Sequence, residues 1–385
     1  MTYDVAALRR AEFPWAETGE TIFLNHASTG PLPQRTVRAL EEWAHLRANP
    51  HRISHDLQFD SLAKARSNVA RLIGADVAEI ALATNTTYGL NLAAFSLPLK
   101  EGDVVITPDG EFPANVYPWM QLAKRRGVEY RRVTCDEQVL DVERLARELE
   151  DESVRAVSVS WVQFATGARV DLAALGALCN ERGVYFVVDA IQGLGPLTLD
   201  VSTMHIDILA CGAQKWLLSP WGAGFVYVRR GLIEQLEPHD VSWLAVRGAD
   251  DFSRLVDYEL EWRDNARKFE FVTVPFQDLA AMNSTLELFQ ELGLESMSRH
   301  MLGLAQHVVD WTADRGDVEL VTPRAPDRRA GIVSVRPRDA VHASERLKIA
   351  NVAHSLREGA IRLSPHCYNT IEEIDRALEV IVGQV

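Results

Sequence analysis

Between about residues 20 and 235, short runs of large apolar residues alternate with longer amphipathic stretches. The apolar runs Ile80–Ala83, Val104–Thr107, Glu129–Val133, Ala156–Ser160, Val184–Val188, Ile208–Ala210 and Phe225–Val228 predict strands. The stretches between them, Gln34–Arg47, Ser61–Ile73, Tyr88–Leu97, Asn115–Arg126, Asp141–Glu150 and Leu172–Arg182, predict helices. Asp171 suits an N-cap and Gly183 a C-cap for the last of these. Strand–helix alternation of this kind predicts an α/β domain with a mostly parallel sheet. After about residue 240 the rhythm changes. A loop-rich connector around Gly248 to Asp264 precedes two helices, Phe276–Leu292 and Met297–Arg315. Two strands, Gly331–Arg336 and Ala360–Leu363, and a final helix from Ile371 complete a smaller α+β unit. The expected division is an N-terminal segment (1–20) packed on the small domain or a partner subunit, a large domain (21–250) and a small domain (251–385).

Composition narrows the class without changing that picture. Of 385 residues, 47% are apolar and 24% charged, which is ordinary for a globular protein. The net charge of −14 argues against nucleic acid or an anionic membrane surface as a partner. No apolar stretch is long enough to span a bilayer, and the first residues lack the basic start and apolar core of a signal peptide. Cys135, Cys179, Cys211 and Cys367 lie far apart with no CxxC pair, which fits free thiols in a reducing, cytoplasmic setting. No metal site is expected.

The run Val184-Tyr185-Phe186-Val187-Val188 ends abruptly in Asp189, and Lys215 follows the next apolar run. Parallel sheets hold ligands just beyond the carboxyl ends of their strands. A carboxylate and an amine brought to one such crevice suit pyridoxal 5′-phosphate: the lysine forms a Schiff base with the aldehyde, and the aspartate keeps the pyridine nitrogen protonated. Thr84-Asn85-Thr86-Thr87-Tyr88-Gly89 follows a strand and opens a helix, offering N–H groups and hydroxyls to a phosphate. Phe112, at a strand-to-helix turn, is placed to stack on a ring, and Gln163 and Gln192 to reach the ring's phenolic oxygen.

These segments resemble the class V aminotransferase superfamily: Phe23-Leu24-Asn25-His26-Ala27-Ser28, Asn85-Thr86-Thr87, Glu111-Phe112-Pro113-Ala114, Val188-Asp189-Ala190-Ile191-Gln192-Gly193, Gln214-Lys215 and Ser364-Pro365-His366-Cys367-Tyr368-Asn369-Thr370. That superfamily includes cysteine desulfurases, selenocysteine lyases, kynureninases and isopenicillin N epimerases. The resemblance implies fold type I of the pyridoxal phosphate enzymes: a large domain with a mostly parallel seven-stranded sheet flanked by helices, and a small C-terminal α+β domain. It also implies a homodimer with its active sites at the interface.

Carried over residue by residue, the resemblance makes Lys215 the Schiff-base lysine and Asp189 the pyridine partner. Thr86 and Thr87 hold the phosphate, joined by Thr273 from the neighbouring subunit. Gln163 and Gln192 flank the ring oxygen, Gln214 precedes the lysine, and Phe112 replaces a stacking histidine. Arg362 clamps the substrate carboxylate, with Arg357 as a second candidate and Asn25 and His26 as pocket walls. A planar guanidinium suits that clamp because it binds a carboxylate bidentately.

Two departures bear on the reaction. Gln214 and Gly212 stand where desulfurases carry histidine and serine, and residues 340–360 contain no cysteine to act as the desulfurase nucleophile. Desulfurase activity is therefore not expected. The expected activity is epimerase- or lyase-like, at Cα and Cβ of an α-amino acid. An aminotransferase using a keto acid is the alternative, and a catalytically silent binding protein of the same fold is a second one.

Overall fold

The computed structural model describes residues 3–135, 139–253, 255–271 and 273–384. A seven-stranded sheet runs in the order Ile80–Ala83, Gly224–Val228, Ile208–Gly212, Tyr185–Asp189, Val154–Ser160, Val104–Pro108, Glu129–Val133. All strands point the same way except Gly224–Val228, which is antiparallel to both neighbours. The chain is thus α/β with a mostly parallel sheet. The strands Ile80–Ala83, Ile208–Gly212 and Gly224–Val228 are apolar and buried along their whole length because helices cover both faces.

Local chemistry sets the boundaries. The helix expected from Ser61 begins at His55, because the Ser54 hydroxyl caps the Leu57 N–H, and it ends at Gly74 in the left-handed conformation. Asp171 and Gly183 cap the helix Leu172–Arg182 as expected. The strand expected at Val184–Val188 spans Tyr185–Asp189, so Asp189 is itself the last residue in the ladder.

A second, antiparallel sheet has the order Ser355–Arg357, Ala360–Leu363, Val333–Pro337, Val318–Leu320. One face of it packs on the helices Leu294–Trp311, Ala340–Ile349 and Ile371–Val382 through Leu304, Val308, Leu347, Ile374 and Leu378. Ile22 and Leu24 belong to the same cluster, since Ile22–Phe23 pairs with Val352–Ala353. The N-terminal helix Val5–Glu12 is tied in by Arg9, which donates to the Tyr368 carbonyl and the Glu373 carboxylate. Periodicity did not reveal Val318–Leu320, Ile22–Phe23 or Ser355–Arg357, which are too short to carry a pattern. No helix among the described residues is long and apolar enough to cross a membrane.

Candidate active site

Five segments converge at the carboxyl edge of the large sheet. Thr86 follows Ile80–Ala83, Phe112 follows Val104–Pro108, Gln163 follows Val154–Ser160, Asp189 ends its strand, and Lys215 follows Ile208–Gly212. Parallel alignment is what brings these ends together.

Asp189 is buried and accepts the Ile191 N–H at 3.0 Å. Burial raises its carboxyl from 3.8 to about 6, against the opposing pull of that hydrogen bond and of the Lys215 charge. The Lys215 amine is lowered from 10.5 to about 8, first by burial, with Asp189 pulling it back up and Arg362 and Arg357 pushing it further down. Its nitrogen lies 5.5 Å from the centre of the Phe112 ring. Gly30 is pressed against the backbone here: its N–H donates to the Gln214 carbonyl at 2.8 Å, and a Cβ would lie 2.3 Å from the Lys215 oxygen.

Thr86 heads the helix Thr86–Ser96, whose Tyr88 N–H is capped by Asn85. The Thr86 hydroxyl accepts the Gly212 N–H at 2.8 Å, so its own hydrogen is available to an anion. Thr87 is exposed at the same helix end. Burial leaves both amide atoms of Gln163 without a partner. Gln214 is half-buried, its side-chain oxygen turned back toward Gly212.

Arg362 is buried and alternates with Ile361 and Leu363, which face the small core. It donates to the Phe164 carbonyl at 2.6 Å and the Ser28 hydroxyl at 2.8 Å, while its Nε has no partner. No carboxylate among the described residues pairs with it, and burial together with Arg357 lowers it to about 10. A buried guanidinium without a counterion is a receptor for an anion. Ser355 opposes Arg362 across the ladder and donates to Asn25 at 2.6 Å. Arg357 is exposed, two residues along the same strand.

Two expectations change. His26 is fully buried, with its ring nitrogens taken by the Ser364 carbonyl at 2.7 Å and the Tyr368 hydroxyl at 2.8 Å, so it fixes the N-terminal segment and does not line a pocket. Gln192 donates to the Ala27 carbonyl at 3.0 Å and accepts the Trp216 indole N–H at 2.8 Å, which makes it a brace. Thr273 lies on the surface and is not brought to the cluster of its own chain. Sequence reading missed Ser28, Ser355 and the Phe164 carbonyl, which hold Arg362. No local pattern marks them, because they come from three distant segments. It also left Glu111 unassigned.

The aminotransferase class-V family model matches residues 22–377. An isopenicillin N epimerase of Streptomyces clavuligerus is 31% identical, over 94% of this chain and 95% of the relative. A cysteine desulfurase of Haloferax volcanii is 28% identical, over 95% of this chain and 89% of the relative. The apo structure of a cysteine desulfurase from Thermococcus onnurineus NA1 superposes with a TM-score of 0.88 at 24% identity, covering 100% of this chain and 99% of that one, a likeness of fold. The expectation that desulfurase activity is absent is corrected by these comparisons. Relatives carrying that name, or the name probable cysteine desulfurase, align over nearly the whole chain.

Proposed function

The chain belongs to the aminotransferase class-V family, and from that premise we propose a lyase acting at Cα and Cβ of an α-amino acid whose Cβ carries sulfur. Its cofactor is pyridoxal 5′-phosphate. The observation that carries the reading is Lys215: a half-buried amine lowered to about 8, beside a buried carboxylate, at the mouth of a parallel sheet. The sulfur-bearing substrate is supported by the relatives named cysteine desulfurase.

The residues fit the cofactor. Thr86, Thr87 and the free N–H groups of their helix would hold its phosphate. Asp189 would pair with the pyridine nitrogen, Gln163 would offer its unpartnered amide to the ring oxygen, and Phe112 would cover the ring face. Lys215 would carry the cofactor, and Gln214 would shape the wall behind it. When bound, the group supplies an electron sink for the bond broken at Cα.

Arg362, held by Phe164, Ser28 and Ser355, binds the substrate carboxylate and so fixes which bond at Cα is cleaved. Arg357 adds positive charge at the entrance, and Asn25 braces Ser355. The freed Lys215 amine takes the Cα proton, which a pKa near the working pH allows. Loss of the Cβ substituent as a thiol, with one water taken up as the remainder hydrolyses, would give pyruvate and ammonia.

We read the protein as a homodimer in which Thr273 of a second copy completes the phosphate site. Exposed apolar side chains of Trp243, Phe252, Val256, Tyr258, Leu260 and Phe271, close in sequence to Thr273, support this. Sedimentation of the purified protein tests it: a monomer at micromolar concentration rejects it.

Epimerisation is the second reading, favoured by the 31% identical epimerase. One experiment separates the readings. Purified protein is reduced with borohydride and peptide-mapped, then offered cysteine, cystine and related S-substituted amino acids while products are measured. Cofactor fixed on Lys215 with pyruvate and ammonia released is the expected result. Alanine with transferred sulfur identifies a desulfurase, and an inverted Cα an epimerase. Conversion of the cofactor to its amine form identifies a transaminase. Label on another lysine rejects the site.

A further inference from the structure

Glu111 is a buried carboxyl that none of the roles above uses. It precedes Phe112 in the turn after Val104–Pro108. One oxygen accepts the Ser160 N–H at 2.7 Å; the other accepts the Asn115 amide at 3.1 Å and the Ser160 hydroxyl. Ser160 ends its strand in register with Asp189 on the next one. Asn115 is itself pinned, since its oxygen accepts from the Ser158 hydroxyl at 2.6 Å and the Trp119 indole at 3.3 Å. Phe112 is thereby gripped from both sides, at Glu111 and through Asn115, by a strand that neighbours Asp189. Its own ring is 43% exposed and meets Phe164 edge-on at 5.4 Å, so side-chain packing alone does not fix it.

We infer that Glu111 is a positioning residue: its carboxyl clamps the turn to Ser160 and so sets the Phe112 ring against Lys215 and the face of the cofactor. The inference rests on the ring-covering reading of Phe112. No lysine or arginine among the described residues pairs with Glu111, so its hold on the turn comes from neutral donors. Burial and the nearby Asp189 push it up to about 7, consistent with a group kept for its shape and acceptor capacity. Glutamine cannot replace it. Its NH₂ would face the Asn115 NH₂, and Asn115 cannot flip without abandoning Ser158 and Trp119.

A double-mutant cycle tests this. Wild type, Glu111→Gln, Phe112→Ala and the double variant are stripped of cofactor and titrated with pyridoxal phosphate, read by visible absorption and circular dichroism. With Phe112 present, Glu111→Gln should weaken binding about tenfold, whereas in the Phe112→Ala background the further loss should be under about twofold, because the two residues act as a unit. Both single variants should alter the dichroism of the bound cofactor in the same sense. An equal loss in both backgrounds overturns the inference. Unchanged affinity and dichroism in Phe112→Ala overturns the Phe112 reading and the inference with it. Should Glu111→Gln not fold, Ser160→Ala takes its place in the same cycle with the same criteria, since it removes one clamp donor and leaves the carboxyl.

Discussion

Trp216 donates its indole N–H to the side-chain oxygen of Gln192 across 2.8 Å, and the Gln192 nitrogen donates to the Ala27 carbonyl at 3.0 Å. Trp216 adjoins Lys215, and Gln192 closes the turn that begins at Asp189. One buried amide therefore links the amine, the carboxylate and the N-terminal segment, and fixes the spacing on which the site depends.

Gln192→Leu should accordingly lower both stability and cofactor affinity. It leaves the Trp216 N–H buried and unpaired, a loss of about 1–3 kcal/mol. Urea denaturation of the cofactor-free protein measures the first effect and equilibrium titration the second. A variant as stable as wild type shows that the brace contributes nothing.

Arg362→Met should separate binding from stability. Removing a buried guanidinium that lacks a carboxylate partner should leave the unfolding midpoint unchanged or raised. The KM for amino acids should rise by about a hundredfold or more, as expected for a lost charge-assisted bidentate contact. Arg362→Lys should recover little, because an ammonium cannot span Phe164, Ser28 and a substrate carboxylate at once. Steady-state kinetics on the three proteins decides; an unchanged KM removes Arg362 from the substrate site.

The cofactor-free protein should capture pyridoxal phosphate faster as pH rises, levelling above about 8 and not near 10.5, because the neutral Lys215 amine is the reactive form. Asp189→Asn removes the charge that raises Lys215, so the midpoint should move lower. Stopped-flow absorbance across pH gives the profile, and a midpoint near 10 contradicts the lowered amine.

Asp189 should lower the stability of the cofactor-free protein as pH rises from about 4 to about 6, against the opposite contribution of the buried His26 and His366, whose burial lowers their pKa values. Asp189 holds its proton more tightly folded, near 6, than unfolded, near 3.8. Its contribution is thus complete below 3.8 and is lost as pH climbs through 6, by roughly 3 kcal/mol. Glu111, raised to about 7, extends the same trend upward. The stability difference between wild type and Asp189→Asn should fall by that amount across the same range in urea titrations; a difference that does not change with pH refutes the assignment.

Gly89→Ala should weaken phosphate binding although it touches no ligand. A Cβ there would lie 2.6 Å from the Ala210 Cβ and 2.8 Å from Val226, forcing the helix that begins at Thr86 off the sheet. A lower melting temperature and weaker cofactor binding are expected together. Full affinity in a destabilised variant shows that the helix end is not the phosphate site.

The strand runs of the large sheet were legible because strands buried on both faces must be apolar throughout, and their ends announced Asp189 and Lys215 as polar residues closing apolar runs. The order of motifs along the chain was enough to mark the family and its cofactor. Tertiary structure decided what those residues touch. Gln163 and Gln192 look alike in sequence, both glutamines just past a strand, yet one amide is unpartnered and the other is consumed by Trp216 and Ala27. His26 looked like a pocket residue until Ser364 and Tyr368 claimed both its nitrogens. The seat of Arg362 is made of Ser28, Phe164 and Ser355, separated by 136 and 191 positions of chain. A sequence records which groups are available through local period and composition. Which hydrogen bonds they spend on one another depends on contacts between segments far apart in the chain, and only the packed fold brings those together.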